Sequence, residues 1–111
     1  MKEQKEIISF DQVMALDIRI CKVLSAERVP KKDKLIKLTI DTGIDTRTSV
    51  TNLGEKYEIG DFVGHKFPFI LNLAPAKIGG IETSAMIMVV GLENGLVEFH
   101  HSVSPIGSIL L

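Results

Sequence analysis

Catalysis needs a nucleophile, a proton carrier or a metal ligand, and this chain offers few of them. Its one cysteine, Cys21, sits in the middle of a predicted strand, where a free thiol is expected to be a small buried hydrophobe. Of the three histidines, His65, His100 and His101, the last two are neighbours. On a strand they would face opposite ways and could not hold one ion. One cysteine and scattered histidines meet no metal-ligand spacing, so neither a metal nor a cofactor is expected. GxxxxGK[ST] and GxSxG do not occur. The 14 carboxylates make many pairs, but no spacing selects an acid–base couple. The chain is not expected to be an enzyme.

What the residues do offer is unevenly placed charge. Between Arg19 and Lys37 stand seven basic residues (Arg19, Lys22, Arg28, Lys31, Lys32, Lys34 and Lys37) against two acidic ones, Glu27 and Asp33. The remainder carries six basic and twelve acidic residues, which brings the formal net charge to −1. Cations gathered in one stretch of a near-neutral chain suit an anionic partner. A solvated surface hairpin would carry the same pattern.

The elements that must position these cations follow from length and periodicity. A chain of 111 residues has the size of one domain, residues 1–111, with one core. At 45% hydrophobic residues and no Trp, that core must be built from Ile, Leu, Val and Met. No apolar run reaches the ~20 residues of a membrane span, and the start has no signal-peptide pattern. A single cysteine suits a reducing compartment, so a cytoplasmic location and no membrane partner are expected.

Residues 1–8 read as a charged start. Ser9 and Gln12 form a capping-box pattern, which predicts a short helix to about Leu16, packed on the body by Phe10, Val13 and Leu16. A first strand begins near Asp17, with Ile18 and Ile20 on one face. Its apolar phase then shifts to Val23, which predicts a bulge or bend near Cys21 and Lys22. Val29-Pro30 ends it. The second strand, 35–41, alternates Ile36, Leu38 and Ile40 with Lys37 and Thr39. Asp41-Thr42-Gly43 is a turn, and the third strand covers 46–52. The fourth, 65–73, carries Phe67, Phe69 and Leu71 on one face, with Pro68 marking an edge or a bulge. Residues 74–83 read as a loop. A fifth strand over 84–92 would set Met86 and Met88 on one face. Glu93-Asn94-Gly95 signals a hairpin into 96–99. The apolar end, Ile109-Leu110-Leu111, predicts burial on the body or in a partner, making residues 93–111 a dimerisation arm. Short strands at this spacing indicate an all-β sandwich or small barrel.

In order along the chain, Asp17-Ile18-Arg19-Ile20, Pro30-Lys31-Lys32-Asp33-Lys34-Leu35, Asp41-Thr42-Gly43 and Asn72-Leu73-Ala74-Pro75-Ala76-Lys77-Ile78 resemble the tRNA-binding domain of the Trbp type. That OB-fold closes methionyl-tRNA synthetases and also occurs in small free-standing proteins. Ser49-Val50-Thr51-Asn52 followed by Lys56-Tyr57, together with the length, resembles the CsaA group most. The resemblance implies an OB-fold, a five-stranded Greek-key barrel with a short N-terminal helix and a C-terminal hairpin arm. It further implies a homodimer that binds tRNA or a similar structured RNA without catalysis. The CsaA group is also described as a chaperone of unfolded export preproteins, and this stands as the alternative.

Matching family positions are Arg19, Asp33, Lys34, Leu35, Asn72, Pro75, Lys77, Gly80 and Met86. The chain departs from the pattern at Cys21, where the family has glycine. It also departs at Ala74 and Gly79, where synthetase-type domains often carry a Lys and an Arg, and at Thr83 and Ala85, within what is otherwise Ser-x-Gly-Met. On the RNA reading, Lys22, Lys31, Lys32, Lys34, Lys37 and Lys77 are expected to meet phosphates, which give affinity and position. Asn52, Asn72, Thr83 and Met86 would line the site for splayed nucleotides. Against that, Met86 also reads as core and Asn72 as a turn or capping residue. The aromatic platforms OB-folds use for single strands are scarce. A chaperone would instead need exposed, adaptable apolar surface around Ile78, Ile81, Met86 and Met88.

Overall fold

The computed structural model describes residues 3–111, so the first two residues of the charged start lie outside the described residues. Helix α1 (Phe10–Met14) is followed by β1 (Ile18–Val29), β2 (Lys32–Asp41), β3 (Thr46–Thr51) and a 3-10 turn at Ile59–Asp61. Then come β4 (Lys66–Ile70), β5 (Ala76–Ile78), β6 (Ile81–Thr83), β7 (Met86–Ile87), β8 (Val89–Gly91) and β9 (Val97–Phe99). The main sheet is antiparallel in the order β3-β2-β1-β4-β7. It curls until β3 meets the chain entering β7. Ser84 N donates to Thr48 O at 3.1 Å, and the Ser49 hydroxyl donates to Ala85 O at 2.9 Å. The all-β OB-type architecture is as expected; β3 and β7 are the two edges of the sheet, and single backbone and hydroxyl bonds bridge β3 to residues 83–85 ahead of β7.

Strand β1 serves two neighbours. Ile18–Lys22 pair with β4, and Lys22–Val29 pair with β2. The register slips between Val23 and Ser25, so the extra residue is Leu24, which is solvent-exposed. The bend was expected nearer Cys21 and Lys22. Cys21 and Val23 share the core face without any change of phase. Ile20 lies outside that core cluster, on the face that the C-terminal segment covers. That segment runs antiparallel beside β1: Gly107 N donates to Ile20 O at 2.7 Å, Ile20 N to Ser108 O at 2.8 Å and Leu110 N to Ile18 O at 2.9 Å. The backbone of the apolar end thus docks on the barrel while Ile109, Leu110 and Leu111 remain exposed.

The core is dominated by Phe62, Phe67 and Phe69 with Ile36, Leu38 and Ile40, all fully buried. Each such side chain contributes about 1.5–3 kcal/mol relative to an exposed one. Pro68 is tolerated inside β4 because its ring nitrogen faces the break between β7 and β8, where its carbonyl accepts from Met88 N at 2.9 Å. That break divides the expected fifth strand. It also sends Met86 and Met88 to different hollows rather than one face.

Two further expectations are corrected. Residues 74–83 are not a plain loop: they form the hairpin β5–β6, turned by Gly79 and Gly80 at φ +59° and +81°. A two-residue turn with both central φ positive suits glycine there. Helix α1 has its capping box, with Ser9 Oγ accepting from Gln12 N at 3.1 Å, but it does not pack on the body. Phe10 is 90% exposed, and Val13 and Leu16 also face solvent. Among the described residues, no helix is long and apolar enough to cross a membrane.

Candidate nucleic-acid interface

The β1–β2 connection is a tight turn. Pro30 fixes the first position, and Lys31 takes φ +63°, the sign that the second position of a type II turn requires. This puts Lys31, Lys32 and Lys34 on an exposed tip, and among the described residues no ion pair engages them. Of the rest of the basic stretch, Arg19, Arg28 and Lys37 are engaged by neighbours. Arg19 Nε donates to Asp17 at 2.8 Å, and this bond pushes the guanidinium pKa further up. Lys37 pairs with Glu27 at 3.5 Å. Lys22 is half-buried at the strand corner, between Asp41 and Lys66 in register. Arg28 donates to backbone carbonyls, as set out below. The available charge therefore concentrates on three lysines.

Beside the tip lies the β5–β6 hairpin. A Cβ built on Gly79 would stand 2.5 Å from Leu35 Cδ1 and 3.9 Å from Lys32 Cγ, so the two connections touch. Next to this contact opens a hollow of about 370 Å³ lined by Val50, Asn52, Leu53, Ile78 and Met86, among others. Its chemistry is apolar, with the exposed Asn52 amide at its edge. Gly54 N donates to Lys34 O at 2.8 Å, which ties this rim to the basic tip. Lys37 stands opposite Val50 in the β2–β3 register and flanks the same face.

The structure brings together Lys31, Lys32, Lys34, Asn52 and Met86, with Lys37 alongside and Thr83 buried behind Val50 and Met86, and it sets Lys22, Lys77 and Asn72 apart. Lys77 lies across from Glu82, on the alternate face of its hairpin from Ile78. Thr83 is buried; its hydroxyl accepts from Val50 N at 3.1 Å and donates to Ala85 O at 3.2 Å. The Asn72 amide is engaged at both ends, accepting from Asp17 N at 2.8 Å and donating to Ala15 O. It anchors the exit of α1. Tyr57 is not free to stack on a base: its hydroxyl bridges Val97 N and O at 2.8 and 2.9 Å, and its ring packs edge-on against Phe99.

Sequence reasoning did not single out Arg28, Gly54 or the Leu35–Gly79 contact. Each depends on long-range approach, for which no local spacing is a signal. Elsewhere, burial pushes the Cys21 thiol up to about 12, leaving it a poor nucleophile at neutral pH. His65 stacks on His101 with ring centroids 4.8 Å apart, while His100 turns to Glu98 at 3.1 Å. Among the described residues, no group of three or more His, Cys, Asp or Glu could hold a metal ion.

Residues 18–106 match the model of the family described as "Putative tRNA binding domain". A methionine–tRNA ligase of Flavobacterium psychrophilum is 38% identical over 96 residues, covering 86% of this chain and 14% of the ligase. This chain thus spans about one-seventh of the length of that curated relative. Among solved structures, a MetRS-related protein from Pyrococcus horikoshii superposes with a TM-score of 0.90 at 29% identity, covering 96% of this chain and all of that one. The chaperone CsaA of Bacillus anthracis has the same fold, with a TM-score of 0.83 at 24% identity over 96% of this chain and all of that one.

Proposed function

The chain belongs to the tRNA-binding domain family, and from that premise we propose that it binds tRNA, or an RNA of similar shape, as a cytoplasmic homodimer without catalysis of its own. The binding face is the β1–β2 tip together with β3 and the β5–β6 hairpin. The observation that carries this reading is the exposed trio Lys31, Lys32 and Lys34, without ion pairs among the described residues and set beside an open apolar hollow. OB-folds bind oligonucleotides on this face, along strands two and three and the connections flanking them. The lysines neutralise phosphates and release counterions. Asn52, Ile78 and Met86 receive a splayed nucleotide, and the thioether supplies a polarizable surface where no aromatic stands. Lys37 flanks the face, Lys22 and Lys77 add charge around it, and Thr83 acts through the framework it holds, while Asn72 serves the exit of α1.

The homodimer reading rests on exposed apolar residues at both ends of the described chain. Ile109 and Leu110 stand on the docked C-terminal segment, 55% and 43% exposed, beside a hollow of about 530 Å³ floored by Ile20, Pro68 and Met88. A second copy would cover them. The buried free thiol of Cys21 suits the reducing cytoplasm.

One observation favours a second reading, that of a chaperone for unfolded preproteins. Ile7, Phe10 and Val103 are at least 90% exposed, surface that an apolar peptide would also cover. Fluorescence anisotropy with unfractionated tRNA, and separately with an unfolded preprotein segment, at low and high salt separates the two. RNA binding weakens steeply with salt, whereas apolar peptide binding holds or strengthens. Salt-insensitive binding of the peptide with none of tRNA would replace the first reading by the second.

A further inference from the structure

Arg28 is one of the seven cations of the basic stretch, yet its guanidinium is taken up by hydrogen bonds within the chain. From β1 it reaches into the chain that follows β3. Its Nη1 donates to Asp33 O at 3.3 Å and to Gly54 O, and its Nη2 donates to Tyr57 O at 3.1 Å and to the Glu58 carboxylate at 3.1 Å. Gly54 is wedged beneath it: a Cβ there would stand 2.5 Å from Asp33 O and 3.0 Å from Arg28 Nη1. The planar fork of an arginine holds two donor nitrogens apart and so serves four acceptors here, more than the three donors on the single nitrogen of a lysine can reach. The backbone that carries Lys34 and the backbone that follows Asn52 are therefore joined through one side chain.

We propose that Arg28 is a positioning residue for RNA binding: it makes no phosphate contact, and it fixes the lysine tip relative to the Asn52–Met86 hollow. A phosphate recruiting Arg28 would have to displace three backbone carbonyls, two of them, Gly54 and Tyr57, on the segment following β3. Glu58, 86% exposed in its side chain, is the weakest of the four partners. The inference rests on the RNA-binding reading, but its structural half can be read without RNA.

The test compares Arg28→Lys and Arg28→Gln with wild type. tRNA affinity is measured by anisotropy across a salt series, and amide exchange is followed at Gly54, whose N–H donates to Lys34 O. Both variants are expected to lose about tenfold in affinity with the log–log salt slope unchanged, because no phosphate contact disappears. Gly54 exchange should rise about tenfold while Ile20, in the distant pairing with the C-terminal segment, keeps its protection. Three results would overturn the proposal: wild-type affinity in Arg28→Lys, a slope reduced by about 0.7–0.9 in Arg28→Gln as for one lost phosphate, or Gly54 exchange unchanged in both variants. If Arg28→Gln fails to fold, Arg28→Lys still decides through its affinity and Gly54 exchange. If wild type itself binds no tRNA, the binding reading fails, and the Gly54 exchange result still judges the clamp separately.

Discussion

Leu35 lies over Gly79 so closely that a Cβ on the glycine would stand 2.5 Å from Leu35 Cδ1. The basic tip and the β5–β6 turn thus form one continuous surface only because residue 79 has no side chain and tolerates φ +59°. Synthetase-type domains often carry a basic residue there. In this chain Gly79→Arg should cost about 1–2 kcal/mol for the left-handed backbone alone, and it should part the two connections. Ala74, exposed at the head of the same loop, has no such constraint. Ala74→Lys should raise tRNA affinity severalfold and steepen the log–log salt slope by about 0.7–0.9 without changing the melting temperature. Binding isotherms and thermal melts of both variants check this.

Asn72 holds the exit of α1 through Ala15 O and Asp17 N. Asn72→Ala should therefore cost about 1 kcal/mol of stability for these solvent-accessible bonds and expose residues 3–16 to faster proteolysis. Its tRNA affinity should stay within about twofold of wild type. A loss comparable to that from removing a tip lysine would place Asn72 in the binding face after all.

The docked C-terminal segment offers Ile109 and Leu110 outward while its backbone bonds to β1. Ile109→Glu/Leu110→Glu leaves the monomer fold unstrained and should convert a dimer to a monomer by light scattering. An unchanged dimer would show that the contact between copies lies elsewhere.

Cys21 is fully buried, and its thiol is pushed by burial from 9.0 to about 12. The folded protein keeps this proton where the unfolded chain has lost it. Stability is then complete below about pH 9 and falls as pH rises toward 12. In the native state at pH 8, Cys21 should react with a disulfide reagent only at the rate of opening. Rapid stoichiometric labelling would contradict the burial.

How much of this was legible in the sequence follows from the range of each interaction. The alternation of Ile36, Leu38 and Ile40 and the capping box of Ser9 and Gln12 are local patterns, and both elements formed, the strand starting three residues earlier at Lys32 and the helix ending at Met14. Ile18 and Ile20 misled, because the period of two marks an apolar face without saying whether core or C-terminal segment covers it. The β5–β6 hairpin was missed although Gly79-Gly80 is a two-residue turn signal, since its strands are only three residues each. Counting cations located the basic stretch. It could not tell that Arg28 and Lys37 are engaged at home, because Gly54, Tyr57 and Glu27 meet them through folding, whereas Asp17 stands only two residues from Arg19.

The most direct measurement is a tRNA titration of wild type against Lys32→Ala/Lys34→Ala at two salt concentrations, with the melting temperature recorded for both. The double variant should bind about tenfold or more weakly at low salt, with a log–log slope reduced by about 1.4–1.8 for two lost phosphate contacts and an unchanged melt. Equal affinity and equal slope in the two proteins would contradict the basic tip as the RNA-binding surface.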